Sequence, residues 1–166
     1  MGIKVNRITL TLATVLSLAF TQVTAQDYNK GVGASLAGDY TTAMKEWKPL
    51  AEQGHALAQS NLGLMYKNGN GVPQDYTEAI KWYRLAAEQG DILSQFSLGY
   101  MYRKGKGALK DNLTAHMWYN IASANGFEMA GGYRDRLAYL MTADAIEKAT
   151  AMARECMASN YKKCGY

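Results

Sequence analysis

Cysteine and histidine are the side chains best suited to chemistry in this 166-residue sequence, and there are two of each. Cys156 and Cys164 have neither the C-x-x-C redox spacing nor an obvious zinc-binding spacing, and no histidine lies near them. His55 follows a glycine at a predicted helix start, and His116 follows the packing residue Ala115. We therefore predict structural histidines, at the surface or half-buried, and no catalytic residue, metal site or cofactor.

Two glycine pairs are candidates for a phosphate-binding loop. Gly69-x-Gly71 and Gly105-x-Gly107 lack the following G-K-[ST] that completes a P-loop, and they recur at the same point of a repeat. Neither G-x-S-x-G nor H-E-x-x-H occurs in the sequence. The glycines are therefore better explained as helix terminators.

The first 25 residues have the features of a secretory signal. Lys4 and Arg7 precede an uncharged apolar run over residues 8–20, and Val23-Thr24-Ala25 supplies the small residues of a cleavage site. The run is shorter than the roughly 20 apolar residues that span a bilayer. We predict cleavage after Ala25, no stable membrane insertion afterwards, and export to the periplasm or beyond the cell of a bacterial host.

The charge of the exported chain argues against a nucleic-acid partner. Removing residues 1–25 leaves 16 basic and 14 acidic residues, a net charge of +2 rather than +4, which gives no strong case for nucleic-acid binding. In an exported protein an even pair of cysteines indicates a disulfide. We predict a structural disulfide between Cys156 and Cys164, with metal ligation and redox chemistry as the less suitable alternatives.

An internal repeat of 36 residues positions these side chains. Residues 39–74 and 75–110 match at 17 of 36 positions without a gap, which indicates duplication. A third, degenerate copy covers 111–146 and loses its likeness after Gly126. Terminal repeats are commonly atypical because one face meets solvent.

The pattern within each copy is helical. Apolar residues recur at i, i+3, i+4 and i+7 from Tyr76 onward, and glycines end each run. We predict an all-α solenoid of about four antiparallel helix hairpins. The predicted helices cover 28–37, 39–53, 55–68, 75–89, 91–104, 111–125, 127–140 and 142–158. In this scheme residues 26–38 form an N-terminal capping helix, 39–140 the repeats, and 141–166 a closing helix with the disulfide-stapled tail.

Repeat-equivalent residues are expected to have structural roles. Asp39, Asp75 and Asp111 lie where helix N-caps are expected. Alanine and glycine recur where helices should cross closely, and tyrosines should fill the spaces between adjacent hairpins. These packing residues are Ala43, Ala79, Ala115, Gly63, Gly99, Tyr66, Tyr83, Tyr102 and Tyr119.

The recurring residues resemble a known family. Ala79-x-x-Trp82-Tyr83-x-x-Ala86-Ala87-Glu88-Gln89-Gly90, Leu98-Gly99-x-x-Tyr102 and Gly105-x-Gly107 are similar to the Sel1-like repeat, a relative of the tetratricopeptide repeat. The likeness covers roughly residues 31–126. It implies an α-solenoid with a concave groove and an adaptor, scaffold or regulatory role.

One branch of the family offers a rival function. Exported, cysteine-rich Sel1-like proteins have a disulfide in each repeat and have been linked to β-lactam binding or hydrolysis. This analogy implies a cell-wall-related or β-lactam hydrolase as the alternative function. The sequence departs from that branch because residues 39–110 contain no cysteine.

The resemblance also implies a set of groove residues. In tetratricopeptide-like stacks the first helix of each hairpin lines the concave face. Transferred through the Leu-Gly-x-x-Tyr register, this gives Asn61, Leu64, Lys67 and Asn68 from one repeat and Phe96, Ser97, Tyr100, Arg103 and Lys104 from the next. Amides, aromatic rings and positive charges suit an extended peptide or protein segment with an acidic group. A solvated helix face and a purely structural accessory role remain the alternatives.

Overall fold

The computed structural model describes residues 27–164, and within them it contains eight helices and no strand. The predicted signal segment, residues 1–25, lies outside the described residues. Helix α1 covers 27–36. The other helices are α2 (Tyr40–Glu52), α3 (Ala56–Asn68), α4 (Tyr76–Ala87), α5 (Ile92–Lys104), α6 (Asn112–Ala124), α7 (Glu128–Ala138) and α8 (Ala143–Ala158).

Side-chain caps set where the repeat helices begin. Asp75 accepts hydrogen bonds from the backbone N–H groups of Thr77 and Glu78, at 2.9 and 3.0 Å. Asp111 caps α6 by accepting from Leu113 and Thr114, and Asp39 caps α2 by accepting from Thr42 alone. These caps satisfy N–H groups that have no partner within the helix. The observed helix ends differ from the predicted ones by at most two residues, because the prediction includes the cap residues.

Glycines let the chain leave each helix and return to its neighbour. Gly69 and Gly105 follow α3 and α5 in the left-handed conformation, with φ of 75° and 65°, which glycine adopts at little cost. The second glycine of each pair makes a close backbone approach. A Cβ on Gly107 would lie 2.3 Å from the carbonyl oxygen of Tyr76. The predicted helix terminators thus also fix the path of the connecting loop.

Glycine and tyrosine fit together between consecutive helices of the stack. A Cβ on Gly63 would lie 2.6 Å from Cδ1 of Tyr83, and one on Gly99 would lie 2.6 Å from Cδ1 of Tyr119. The repeat-equivalent Ala79 is completely buried, as its counterparts in α2 and α6 are. Small residues therefore admit the tyrosine ring of the following helix, at the contacts of α3 with α4 and of α5 with α6.

A ladder of side-chain amides runs through the stack. Gln89 Nε2 donates to Gln59 Oε1 (2.8 Å), and Asn125 Nδ2, 36 residues later, donates to Gln95 Oε1 (2.9 Å). Gln59 and Gln95 in turn donate to backbone carbonyl oxygens of the preceding helix. Asn125 also donates to the Tyr161 hydroxyl at 2.8 Å. The ladder connects each hairpin to the next and ends on the C-terminal tail.

The C-terminal end of the stack departs from a regular hairpin, because α7 and α8 both pack against α6. Cys156 at the end of α8 and Cys164 in the tail are buried and form a disulfide. This bond holds the turn that contains Tyr161 against the stack. Each helix found between residues 27 and 164 is too short or too polar to cross a membrane.

Candidate functional site

Helices α3, α5 and α7 line a small cleft on one face of the stack. Lys67 comes from α3, Phe96, Ser97 and Tyr100 from α5, and Tyr133 from α7. The cleft has a volume of about 210 Å³. We call it the aromatic cleft, because three of its five walls are aromatic rings.

The rings of the aromatic cleft belong to a packed aromatic cluster. The Phe96 ring meets Tyr133 and Phe127 edge to face, with centroid distances of 5.1 and 5.0 Å. Tyr119 packs against both Phe96 and Tyr133, at 5.5 and 5.6 Å. Such contacts stabilise aromatic pairs beyond the area that they bury. The walls of the cleft are therefore held by the core beneath them.

A second cleft adjoins the first and is strongly basic. It has a volume of about 440 Å³. We call it the basic cleft, and its walls are Arg103, Lys104, Lys110, Asn112, Tyr133, Arg136, Leu137 and Leu140. Tyr133 lines both clefts, so a single ring separates an aromatic compartment from one with four positive charges.

Arg103 lies at the junction of the two clefts. Its guanidinium carbon is 5.9 Å from the centroid of the Tyr100 ring and 5.8 Å from that of Tyr133. Cations at this distance are attracted by the ring faces. Burial raises the pKa of the neighbouring Tyr119 to about 12, so its hydroxyl stays neutral. Two aromatic walls thus fix the position of one of the four charges.

Two lysines extend the positive potential toward α3 and α4. Lys106 Nζ lies 4.7 Å from the centroid of the Tyr76 ring and donates to its hydroxyl at 3.1 Å, and this hydrogen bond raises the pKa of Lys106. Burial lowers the pKa of Lys67, and the nearby Lys106 charge lowers it further. An anionic group beside Lys67 would oppose this lowering, because it favours the charged form of the lysine.

The nine groove residues predicted from the sequence do not form one surface. Lys67, Phe96, Ser97 and Tyr100 lie together in the aromatic cleft, and Arg103 and Lys104 line the basic cleft. The remaining three contribute to neither. Asn61 donates to the Tyr28 hydroxyl at 3.3 Å, so α1 engages its amide. Leu64 and Asn68 are exposed on α3.

Tyr133, Lys110 and Arg136 are absent from the predicted groove. The 36-residue period could have identified two of them. Tyr133 and Arg136 lie one period after Ser97 and Tyr100, which belong to the predicted groove. The sequence likeness of the third copy fades after Gly126, so the predicted register does not extend to α7. Lys110 lies in the loop before α6, where helix periodicity gives no information.

The two histidines have different environments. His55 caps α3, and its Nδ1 accepts from the N–H of Ala58 at 3.2 Å. The prediction that His116 lies at the surface or half-buried is wrong, since only 3% of the residue is exposed. It lies 36 residues after the buried Ile80, at an apolar position of the repeat. Burial lowers the pKa of His116, which favours its neutral form.

A serine and a lysine in the tail have the S-x-x-K spacing of some acyl-transfer enzymes. In Ser159-Asn160-Tyr161-Lys162 the spacing matches. The backbone engages the serine, however, because its Oγ donates to the Cys156 carbonyl oxygen (2.8 Å) and accepts from the Lys163 N–H (2.9 Å). Ser159 thus closes the turn after α8.

Neither cysteine is available as a thiol, because Cys156 and Cys164 are bonded to each other. Over residues 27–164, no three His, Cys, Asp or Glu side chains converge on a common metal position. The disulfide indicates an oxidising environment, as exported proteins experience. The two adjoining clefts combine aromatic rings with positive charge on one face of the described residues.

Comparison with known proteins places this architecture. The family model described as "Sel1 repeat" matches residues 56–91 and 92–127, which correspond to α3–α4 and α5–α6. The matched repeats begin at α3 and α5. The 36-residue copies identified from the sequence begin one helix earlier in each case, at α2 and α4. The search of curated proteins found no match.

Two solved structures are similar to this chain. One is a protective antigen of uropathogenic Escherichia coli strains that displays an SLR fold, with 27% identity and a TM-score of 0.77 over 83% of this chain. This chain spans only 31% of that protein's length. The other is a Sel1 repeat protein from Oxalobacter formigenes, with 33% identity and a TM-score of 0.63, covering 76% of this chain and 98% of that one. The chain therefore belongs to the Sel1 repeat family, whose members are generally non-catalytic scaffolds for protein–protein interaction.

Proposed function

We propose that this protein is a non-catalytic binding module that holds an extended peptide segment of a partner protein across α3, α5 and α7. The observation that carries the proposal is the aromatic cleft, where three successive first helices supply Lys67, Phe96, Ser97, Tyr100 and Tyr133. Because α3, α5 and α7 follow one another along the stack, an extended segment anchored in this cleft can continue along the same face.

The size of the aromatic cleft favours a single side chain of a longer ligand. Pockets for small-molecule ligands typically have volumes of about 300–1,000 Å³, and this one has about 210 Å³. Aromatic and aliphatic anchors that fill a preformed pocket supply much of the affinity in protein–protein contacts. The aromatic cluster beneath the cleft keeps its walls in place before a partner arrives, which lowers the entropy lost on binding.

The site of action that we propose is the cell envelope or the medium outside it. The disulfide favours an oxidising compartment, and residues 1–25 have the composition of a secretory signal. Intact-mass measurement of protein from the exported fraction would test this. We expect a mature chain that begins at Gln26, and a cytoplasmic chain that retains residue 1 would contradict export.

Peptide display tests the binding function. Random peptides of about a dozen residues are selected on the purified protein, and enriched clones are tested again on a Tyr100→Ala variant. Removing this ring opens one wall of the aromatic cleft, so the enriched peptides should bind at least about tenfold more weakly, as expected when a buried aromatic anchor contact is lost.

The matched control is Tyr139→Ala, which removes a tyrosine ring that is 90% exposed and contributes to neither cleft. Peptides enriched on the wild type should bind this control unchanged. Circular dichroism checks that both variants keep their helices. Absence of enrichment, or enriched peptides that bind Tyr100→Ala as well as the wild type, would contradict the proposal.

A further inference from the structure

The basic cleft concentrates positive charge without a matching carboxylate. Arg103, Lys104, Lys110 and Arg136 line it, and no aspartate or glutamate among the described residues does. The ion pairs Lys30–Glu46, Lys81–Glu78 and Arg134–Asp135 lie outside this set of four cations. Like charges held together repel one another, and an incoming anion relieves that repulsion.

The charge of Arg103 is held in place by its surroundings. Tyr100 and Tyr133 flank its guanidinium group at similar distances, 5.9 and 5.8 Å. Its Nε is buried and finds no hydrogen-bond partner among residues 27–164. An arginine fixed by two rings loses less conformational entropy on binding a carboxylate than a free surface arginine does. Lys104, Lys110 and Arg136 are exposed and able to close on the same anion.

We infer that the basic cleft binds acidic side chains of the same peptide segment whose apolar side chain occupies the aromatic cleft. This inference rests on the proposed function and adds the chemical class of the partner. The partner segment combines an aromatic or aliphatic residue with acidic residues a few positions away along an extended backbone.

The shared wall limits the spacing of the two groups. Tyr133 lines both clefts. The apolar and acidic side chains of the bound peptide are therefore separated by about the width of one tyrosine ring. An extended peptide advances about 3.3 Å per residue and presents alternate side chains to the same face. Acidic residues about two to four positions from the anchor therefore suit the arrangement.

The composition of the basic cleft favours a carboxylate-bearing peptide over a nucleic acid. Single-stranded nucleic acids require positive charge that follows the backbone over several nucleotides. On α3 the positive charge of this face is confined to Lys67, and the nearby Leu64 and Asn68 are neutral. Leu137 and Leu140 complete the basic cleft, and Leu140 is 73% exposed, so apolar backbone and methylene groups of a peptide have a surface to cover.

Fluorescence anisotropy with three synthetic peptides tests the inference. The first carries one phenylalanine and two glutamates within four positions, in a serine- and glycine-rich background. The second replaces the glutamates by glutamine, and the third replaces the phenylalanine by serine. We expect the first peptide to bind at least about tenfold more tightly than either of the others, as each loses one class of contact. Its affinity should fall as salt is added.

Charge reversal identifies the cleft. In the variant Lys110→Glu/Arg136→Glu, the first peptide should lose at least about tenfold in affinity, while the glutamine peptide should bind as it does to the wild type. The matched control is Lys45→Glu/Lys148→Glu, which changes the net charge equally on α2 and α8, two helices that contribute to neither cleft. The control should bind the first peptide like the wild type.

The outcomes separate this inference from the proposed function. If displayed peptides depend on Tyr100 but carry no acidic residues, and charge reversal leaves them unaffected, the inference fails while the binding function stands. If no displayed peptide depends on Tyr100, both fail. Vesicles of phosphatidylglycerol are the remaining probe. Binding to them that Lys110→Glu/Arg136→Glu abolishes, without preference for the acidic peptide, would assign the cleft to lipid headgroups and overturn the inference.

Discussion

The ring of Tyr119 occupies the space that a side chain at Gly99 would need, since a Cβ there would lie 2.6 Å from Cδ1 of Tyr119. Both residues belong to the tightly packed interface between α5 and α6, and Tyr119 is completely buried. The same relationship joins Gly63 to Tyr83 one repeat earlier. The spacing of α3 from α4 and of α5 from α6 is thus set by a glycine opposite a tyrosine ring.

Gly99→Ala should destabilise the protein by about 1–3 kcal/mol, the usual cost of forcing extra atoms into a packed core. Urea denaturation followed by circular dichroism measures this. Gly33→Ala in α1 is the control, because nothing lies within 4 Å of its Cβ position. Removing a helical glycine there should stabilise the protein by about 0.5–1 kcal/mol. Equal effects of the two substitutions would show that the Tyr119 ring does not set the spacing.

Asp75→Ala should cost about 1 kcal/mol of unfolding free energy, because the N–H groups of Thr77 and Glu78 lose their shared acceptor. Asp75→Asn should cost less, since asparagine caps helices about as well as aspartate. Thermal denaturation of the two variants separates capping from charge. Equal losses in both variants would attribute the effect to the charge alone.

Breaking the disulfide with Cys156→Ala/Cys164→Ala should cost about 2–3 kcal/mol, the value expected for a short closed loop. The loop contains Tyr161, whose hydroxyl accepts from Asn125, so amide exchange should accelerate in residues 159–164 first. Dithiothreitol should lower the melting temperature of the wild type and leave that of the double variant unchanged. A wild type insensitive to reductant, with its thiols shown to be free, would contradict a stabilising role.

His116 should make stability depend on pH. Burial, followed by the nearby Arg134 charge, lowers its pKa in the folded state, while Asp135 opposes this shift. The unfolded chain therefore binds more protons than the folded one as the pH falls below about 6.5, and folding stability should decline there. His116→Gln should show a shallower decline between about pH 7.5 and 5. Equal slopes in the wild type and in His116→Gln would contradict the assignment of the pH dependence to His116.

Much of the fold follows from the repeat itself. The 36-residue period, the capping aspartates and the glycine pairs are local signals, so each helix could be predicted to within two residues. The small residues Gly63 and Gly99 could be assigned to helix contacts because their size has one simple explanation. The pairing of α7 and α8 with α6 could not be predicted, since it depends on packing between elements that no longer share the repeat pattern.

The candidate site is less accessible from sequence. The predicted set names six of the residues that line the two clefts but also includes Asn61, which α1 engages through Tyr28. Lys110 lies in a loop, and only the folded chain brings it to the basic cleft, so its position there could not be predicted from helix periodicity. For His116 the repeat was the better guide. It lies one period after the buried Ile80, which predicts burial, whereas its polar side chain alone suggests exposure.

The amide ladder makes the stack modular. Gln89 and Asn125 are 36 residues apart, and Tyr161, whose hydroxyl accepts from Asn125, follows after another 36. A deletion that removes Gln89 or Asn125 alone leaves the buried Gln59 or Gln95 side chain without its donor. We therefore expect arrays of this kind to lengthen or shorten more readily by whole repeats, because each repeat carries both a donating and an accepting amide.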